Sequence, residues 1–362
     1  MKTWDAIIVG GGIIGLSLAL GLRKRGHSVV IVDRGEPGRE ASHAAGGMLA
    51  HCDPHTPRLL QPLALESAKL YPQFVHELND ESDEPVDYRT QGTILLSDSE
   101  PAFPCPGPRR LSADELPELE PGLSCPTTFA YYLPEAVLDP RTLVAAALKA
   151  VKHRGIDLVS GSAVTEITVA NERATGVRTD RSQYAAAVVV NCAGAWAAQI
   201  PPLRIPTKPV KGQMLAVVPP AGYDAKGTPL LPHILTHVIR TQDVYVIPRS
   251  DGRIVIGSTI EDAGFDKRVD ADTVQTLRSA AVQLVPRIGE AKMHETWAGL
   301  RPGTPDGLPI LGSTAIEGHF VATGHYRDGI LLAPVTAHLM TQVIEGLQPE
   351  LDLSAFMLSR FE

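Results

Sequence analysis

The sequence has no block of consecutive basic residues and no apolar run long enough to cross a membrane. Its 33 lysines and arginines face 41 acidic residues, so the formal net charge is −8. Nucleic acid is therefore not expected as a partner, because binding to phosphates requires clustered positive charge. The apolar runs are as long as strands, far short of the roughly 20 residues of a membrane-spanning helix. No membrane partner is expected.

Cysteine is also scarce, and its spacing forms no known motif. The four cysteines, Cys52, Cys105, Cys125 and Cys192, contain no CxxC pair. This pattern favours reduced thiols in a cytoplasmic protein over a disulfide framework. Met1 is followed almost at once by the first predicted strand. Because no room is left for a leader segment, we predict a cytoplasmic location.

Two histidine pairs have spacings that resemble metal sites. His51 and His55 flank a cysteine and an aspartate, but Pro54 prevents the helix that would place them on one face. We interpret them as loop residues at the edge of a pocket. His233 and His237 lie in a segment that reads equally as helix or strand, without an acidic or cysteine ligand nearby in the sequence. No metal is predicted, and neither a Ser-His-Asp order nor a P-loop is present.

The N-terminal part of the sequence predicts a dinucleotide site. A buried strand, Ala6–Val9, leads into Gly10-x-Gly12-x-x-Gly15 and then a helical pattern, Leu16–Lys24. Gly10 permits the tight turn, Gly12 lets the backbone approach a pyrophosphate, and Gly15 lets the helix pack on the strand. The phosphates would contact amides at the start of the helix.

Two further features support this interpretation. A second strand, Ser28–Val32, ends at Asp33, which lies 18 residues after Gly15 and could accept hydrogen bonds from ribose hydroxyls. The following loop, rich in alanine and glycine, would allow backbone to lie against a flat ligand at Gly46, Gly47 and Met48. Ser42 supplies a hydroxyl for a phosphate; alternatively, it caps a helix.

The middle of the chain predicts a second contact with the cofactor and then a change of architecture. Strands with a hairpin lead to the apolar strand Ala185–Asn191 and a turn at Gly194, with Val164 beside an adenine edge; an NAD dehydrogenase would have a second helical half instead. Strands with alternating polarity and the helix Ala271–Leu284 follow, which indicates a largely antiparallel substrate domain. A last helix, Ile330–Ile344, begins at a glycine turn.

The predicted fold class is α/β, or α+β in two domains, with a Rossmann-like domain and an antiparallel-sheet substrate domain. The chain of 362 residues is long enough for both. We assign residues 1–85, 138–206 and 302–362 to the first domain. Residues 86–137 and 207–301 form the second.

Five motifs carry a resemblance to a known family. They are Gly10-x-Gly12-x-x-Gly15 with Asp33, Ala44-Ala-Gly-Gly-Met-Leu49, Val210-Lys-Gly-Gln213, Trp297-Ala-Gly-Leu-Arg-Pro-Gly-Thr304 and Gly324-His-Tyr-Arg-Asp-Gly-Ile-Leu-Leu-Ala-Pro334. The chain resembles the FAD-dependent D-amino acid oxidase superfamily along its whole length, and most closely the glycine oxidases of thiamine biosynthesis. The resemblance implies non-covalent FAD, since no cysteine lies near the C-terminal turn.

The motifs and the resemblance together give the expected site. The residues expected to contact FAD are Gly10, Gly12, Ile13, Ile14, Gly15, Asp33, Arg34, Ala41, Ser42, Gly46, Gly47, Met48, Val164, Gly194, His325, Tyr326, Arg327, Asp328, Gly329, Ile330 and Leu331. The amides from Asp328 to Leu331 would stabilise negative charge on the flavin ring. No residue is expected to act as an acid or base, because the flavin itself accepts the hydride.

Three residues are expected at the substrate. Arg301 could bind a substrate carboxylate through two hydrogen bonds, or form a salt bridge at the domain interface. Tyr245 faces away from Val244 and Val246, and it could donate to that carboxylate or pack in the core. The resemblance places Arg327 at the substrate, through its backbone carbonyl. It also implies a histidine at the position of Asp243, and this difference bears on which amines are accepted.

The function implied is an FAD-dependent amine oxidase. Glycine and small amines such as sarcosine and D-alanine would give an imine, and from it glyoxylate and ammonia, with hydrogen peroxide formed from O2. The imine could also serve thiazole synthesis, and relatives suggest a homotetramer. The alternatives are a D-amino acid dehydrogenase that passes electrons to a quinone and a non-catalytic flavin-binding subunit.

Overall fold

The computed structural model describes residues 3–124, 129–220, 222–223, 229–230 and 234–361. In chain order its elements are β1 (Thr3–Val9), α1 (Ile13–Lys24), β2 (Val29–Val32), α2 (Ala41–Ala44), β3 (Met48–Leu49), α3 (Gln61–Ser82), β4 (Tyr88–Arg89), β5 (Thr93–Ser97), β6 (Arg109–Arg110), α4 (Glu115–Leu119), β7 (Phe129–Leu133), β8 (Ala136–Leu138), α5 (Pro140–His153), β9 (Asp157–Val159), β10 (Val164–Ala170), β11 (Arg173–Thr179), β12 (Gln183–Asn191), β13 (Lys208–Val218), β14 (Gly222–Tyr223), β15 (Pro229–Leu230), β16 (Val238–Arg240), β17 (Tyr245–Pro248), β18 (Ile254–Gly257), α6 (Ala271–Leu284), β19 (Lys292–Gly303), β20 (Ile310–Ser313), β21 (His319–Thr323) and α7 (Ala333–Ile344).

The first sheet carries the dinucleotide motif. Its strands run in the order β10-β11-β12-β1-β2-β9, with β21 beside β12 and β20 beside β21. The central strands β12, β1, β2 and β9 are parallel, while β10, β11 and β12 form the predicted antiparallel excursion. Helices α1, α3, α5 and α7 pack on this sheet through the largest apolar cluster. The four apolar residues that end β1 are all buried, as their sequence predicted.

The second sheet has the order β19-β13-β18-β17-β16-β5-β7-β6. It is antiparallel except where β16 lies parallel to β5, and β17 and β18 form a hairpin. Helix α6 has the predicted bounds, and the side chain of Asp270 caps it by accepting from the amide of Thr273 at 2.8 Å. The two sheets confirm the predicted fold class. The domain boundaries themselves stay a prediction.

The expectation for the cysteines is wrong at one pair. Cys52 and Cys105, which are 53 residues apart in the chain, form a disulfide. Cys192 is free and buried, and Cys125 lies outside the described residues. The prediction of a cytoplasmic location therefore loses its support from reduced thiols and stays a prediction. In the described part of the chain, no helix is both long and apolar enough to cross a membrane.

Candidate active site

A cavity of about 1370 Å³ is lined by residues of both sheets. It is larger than the roughly 300–1,000 Å³ of most small-molecule pockets. Of the residues predicted to contact cofactor or substrate, all line this cavity except Gly15 and Leu331. Gly15 has the packing task predicted for it, because a Cβ there would overlap the carbonyl oxygen of Gly10 and lie 3.0 Å from Ile8.

One end of the cavity is formed by the turn between β1 and α1. Gly10 has a φ of +106°, and a Cβ there would lie 2.6 Å from the carbonyl oxygen of Cys192. The carboxylate of Asp33 accepts from the amide of Gly11 at 2.7 Å, which fixes its position beside the turn. These contacts leave the cavity face of the turn as backbone, as a pyrophosphate site requires.

Ser42 does not cap its own helix. It lies inside α2, whose N-terminal cap is Glu40, so the alternative interpretation of this residue as the cap of the helix that follows it is wrong. Its hydroxyl instead accepts from the amide of Ile13 at 2.9 Å, at the first residue of α1. Ser42 therefore lies at the start of α1, where a phosphate was predicted.

The loop from Ala44 to Gly47 is held between the two sheets. The carbonyl of Ala44 accepts from the indole of Trp297 at 3.1 Å, and that of Gly46 accepts from Arg249 at 2.7 Å. A Cβ at Gly46 would lie 3.3 Å from the hydroxyl of Tyr245. The small residues that sequence reasoning assigned to a flat ligand are thus also required for close contact with protein.

The C-terminal turn brings free amides to the cavity. In the described part of the chain, the amides of Gly329, Ile330 and Leu331 donate to no protein acceptor, whereas that of Leu332 donates to Asp328 at 2.8 Å. Helix α7 begins at Ala333 and not at Ile330 as predicted, because Ile330 to Leu332 form a separate turn. The free amides therefore belong to the turn and not to the first residues of the helix.

Burial sets the protonation of two side chains beside this turn. It lowers the pKa of His325 to about 3, so the ring is neutral, and Thr336 contacts its Nε2 at 3.0 Å. Burial raises the pKa of Asp328 to about 6, with Asp53 acting in the same direction and Arg327 against it. His325 is therefore uncharged near neutral pH, and Asp328 takes up a proton at a higher pH than an exposed aspartate does.

Arg301 lies on β19 of the second sheet and lines the cavity. Its Nη1 donates to the carbonyl of Thr259 at 2.9 Å and its Nη2 to the hydroxyl of Ser258 at 2.6 Å. The guanidinium lies over Gly212, where a Cβ would overlap it. Among the described residues no carboxylate forms an ion pair with Arg301, so the alternative of a domain-interface salt bridge is not found there. Its charge is available to a ligand.

Tyr245 occupies the wall beside Arg301. Val244 and Val246 are buried in the cluster beneath α6, while Tyr245 packs with Met214 and Trp297 on the opposite face. Among the described residues, the only hydrogen-bond partner of the phenol is the sulfur of Met214 at 3.6 Å, which is a weak acceptor. Its hydroxyl is thus left for a ligand, although its ring also packs.

The remaining predicted positions are divided between the cavity wall and other parts of the protein. Arg327 donates to Asp53 at 3.3 Å, and Asp243 is exposed and lines the cavity. His55 lines the cavity too, so the interpretation of this loop as a pocket edge is confirmed. His51 lies beside the disulfide of Cys52 and Cys105, so neither of these sulfurs is a free thiol that could bind a metal with it. His237 contacts Glu120 at 2.8 Å, an acid that the sequence did not place there, and His233 lies outside the described residues.

Many residues of the cavity wall were not predicted from the sequence. Arg240 and Met214 are among them. Arg240 is buried at the end of a strand, directly after the apolar Val238 and Ile239, and a charge in such a strand is the signal that could have found it.

Comparisons with known proteins agree with this geometry. A family model described as DAO, FAD dependent oxidoreductase, matches residues 5–343. The chain is 35% identical to the glycine oxidase of Pseudomonas putida over 369 residues, which cover 96% of each protein. It is 32% identical to hydrogen cyanide synthase subunit HcnC of Pseudomonas aeruginosa, across 100% of this chain and 97% of that protein. The crystal structure of glycine oxidase from Geobacillus kaustophilus superposes with a TM-score of 0.91, at 33% identity and 99% coverage of both chains.

The chain belongs to the DAO family of FAD-dependent oxidoreductases, and FAD is its cofactor. Within that family it is similar to glycine oxidases over almost its whole length, which confirms the resemblance. The residues present fit FAD. The cavity is large enough, the turn at Gly10 presents backbone where a Cβ would be excluded, and unpaired amides lie at Gly329 to Leu331.

Proposed function

We propose that this protein is a flavoprotein oxidase of glycine and other small amines, including sarcosine and D-alanine. The products are the imine, its hydrolysis products glyoxylate and ammonia, and hydrogen peroxide from O2. The observation that carries the proposal is Arg301: a guanidinium without a carboxylate partner in the described chain, in the same cavity as the dinucleotide turn.

The chain's own residues bind and orient the substrate. Arg301 binds the carboxylate through charge-assisted hydrogen bonds, each worth about 1.5–3 kcal/mol. The hydroxyl of Tyr245 donates to the same group, since its protein acceptor is only a thioether. Held at both points, the carboxylate fixes the direction of the Cα–H bond. Bound FAD supplies the hydride acceptor.

The other predicted residues hold the cofactor. The turn from Gly10 to Gly15 and Asp33 bind the ADP half, and the amides of Gly329 to Leu331 lie where negative charge on the ring can be stabilised. The carbonyl of Arg327 completes the substrate site. FAD binds without a covalent bond, because no described cysteine lies in the C-terminal turn.

A substrate panel tests the proposal. The purified protein should be yellow, and glycine should bleach it under anaerobic conditions. Admission of oxygen should restore the colour and release one peroxide per amine oxidised. Bleaching by bulky D-amino acids alone would contradict the choice of glycine. Bleaching without reoxidation by oxygen would favour the dehydrogenase alternative, for which a quinone should serve as acceptor.

One comparison favours a second candidate. The similarity to HcnC, named as a subunit of a hydrogen cyanide synthase, covers the whole chain. A role as one subunit of a cyanide-forming complex is therefore the second candidate. Turnover of glycine by the purified chain alone, with peroxide and no cyanide among the products, would favour the oxidase. The supply of imine for thiazole synthesis and the homotetramer stay predictions from the resemblance.

A further inference from the structure

The motif Val210-Lys-Gly-Gln213 supplies none of the proposed contacts to substrate or cofactor. It lies on β13, where neighbouring residues point to opposite faces of the sheet. Gly212 lines the cavity. Gln213 points to the rear face, the one turned away from the cavity, because its side-chain oxygen accepts from the amide of Asp270 at the start of α6, at 2.7 Å. Lys211 shares that rear face with Gln213.

The segment of residues 258–261, which follows β18, joins the rear face to Arg301. Its backbone pairs with β13 beyond the end of β18, where Lys211 and Glu261 each donate an amide hydrogen bond of 2.9 Å to the carbonyl of the other. The carbonyl of Thr259 accepts from the guanidinium of Arg301 at 2.9 Å. The position of Arg301 therefore depends on how this segment is held.

The side chain of Glu261 holds the segment 258–261 from the rear face. One of its oxygens accepts from the side-chain amide of Gln213 at 2.9 Å and from the hydroxyl of Thr259. The other lies 3.3 Å from the Nζ of Lys211, a residue that is 6% exposed. The same hydroxyl of Thr259 accepts from the backbone amide of Gln213 at 2.9 Å. One carboxylate thus joins two residues of β13 to the residue whose carbonyl binds Arg301.

The charges of this arrangement are divided between the two faces of the sheet. Burial acts to raise the pKa of Glu261, but hydrogen bonds from its three side-chain partners lower that pKa below its usual value. Glu261 is therefore charged near neutral pH, and Lys211 balances it. Among the described residues, Arg301 is held by neutral oxygens alone. A carboxylate beside Arg301 would also fix it but would occupy its charge, whereas support from the rear face leaves that charge to the substrate.

We propose that Glu261 is the positioning residue for Arg301. It acts through the segment 258–261, by keeping the carbonyl of Thr259 and the hydroxyl of Ser258 where they hold the guanidinium for a substrate carboxylate. The inference rests on the proposed amine oxidation, since it concerns the carboxylate site of that reaction. Loss of Glu261 is expected to weaken carboxylate binding much more than it lowers kcat.

A double-mutant cycle tests this role, because two residues that act through each other have non-additive effects. The affinity for acetate, which has the carboxylate and lacks the amine, is measured from its effect on the flavin spectrum. KM and kcat for glycine are measured on the same samples. Glu261→Ala should weaken acetate binding and raise the KM at least fivefold, with kcat within a factor of two. In the Arg301→Ala background it should change the KM by less than twofold.

Two further variants define the comparison. Glu261→Gln keeps an acceptor for Thr259 and Gln213, so it should recover part of the affinity for acetate. Asp262→Ala is the matched control, because Asp262 follows Glu261 and lies 3.1 Å from Lys208 of β13, but its side chain is 76% exposed. This control should bind acetate and glycine as wild type does.

Three results would overturn the inference. They are the absence of acetate binding by wild type, an unchanged affinity in Glu261→Ala, and an equal change in KM with and without Arg301. If Glu261→Ala does not fold, Thr259→Val gives the same comparison, since it removes only the hydroxyl that donates to Glu261. Failure of the proposed function is distinct: glycine would then not bleach the flavin, while acetate binding would still depend on Glu261.

Discussion

The two ends of the cavity are built in different ways. At the turn from Gly10 to Gly15 and at Gly329 and Ile330, the cavity wall presents backbone. At Arg301 and Tyr245 it is formed by side chains that project from strands of the second sheet. A wall of backbone requires glycine at fixed spacing. A wall of side chains requires a particular strand register.

The first prediction tests the backbone end and has the largest expected effect. Gly15→Ala should abolish FAD binding or weaken it about 100-fold, because the new methyl group would overlap the carbonyl of Gly10 and force α1 away from β1. The measurement is flavin retained after gel filtration. Gly289→Ala is the control, since its Cβ would meet only Val282 at 3.8 Å. Full FAD occupancy in Gly15→Ala would show that close packing at this turn is not needed.

The second prediction tests the side-chain end. Arg301→Ala should raise the KM for glycine roughly 10- to 150-fold, which corresponds to the loss of about 1.5–3 kcal/mol from a charged hydrogen bond. FAD should remain bound, because Arg301 lies on β19 and is not part of the turn from Gly10 to Gly15. Steady-state kinetics with a flavin spectrum of the same sample would measure both. Exposed Arg268 offers the control substitution Arg268→Ala. An unchanged KM would remove Arg301 from the carboxylate site.

The third prediction concerns the pH dependence of stability that the buried His325 causes. The folded-state pKa of His325 is lowered to about 3, so below pH 6.5 the unfolded chain takes up a proton that the folded chain does not. Stability is therefore lost as pH falls from 6.5 toward 3, by up to about 1.4 kcal/mol per pH unit for this residue. His325→Asn should reduce that loss.

Chemical denaturation at several pH values between 7 and 4.5 would measure this slope. His153→Asn, at an exposed position, should keep the slope of wild type. An equal slope in His325→Asn and wild type would show that His325 is protonated in the folded protein.

The fourth prediction has the smallest effect. Tyr245→Phe should raise the KM for glycine about 2- to 10-fold, as expected for a hydrogen bond worth about 0.5–1.5 kcal/mol. The melting temperature should change little, because the hydroxyl loses only a contact with the sulfur of Met214. Thermal unfolding and kinetics on the same preparation would separate the two roles of this residue. A large loss of stability without a change in KM would make Tyr245 a packing residue.

Much of the fold could be predicted because its signals are local. Helix α6 has the predicted bounds since Asp270 caps it and apolar residues follow at helical spacing. The turn at Gly10 was predictable for the same reason, as each glycine has its own steric task. Helix α7 was predicted three residues too early, because the sequence does not show that Ile330 to Leu332 form a separate turn.

The parts that could not be predicted depend on contacts between distant segments. The disulfide joins Cys52 to Cys105 across 53 residues, and no spacing rule connects them. The position of Arg240 beside Tyr245 follows from a hairpin register, which the alternation of one strand does not determine. Glu120 reaches His237 from 117 residues away.

The loop from Ala44 to Gly47 touches both ends of the cavity, through Trp297 and Tyr245 on one side and α2 on the other. A segment shared in this way makes the two binding equilibria depend on each other. If a carboxylate ligand orders the loop, it will slow the escape of FAD during dialysis. Thermodynamic reciprocity then requires that FAD raise the affinity for that ligand by the same factor. Under that condition, the protein without cofactor would bind the ligand more weakly by the same factor.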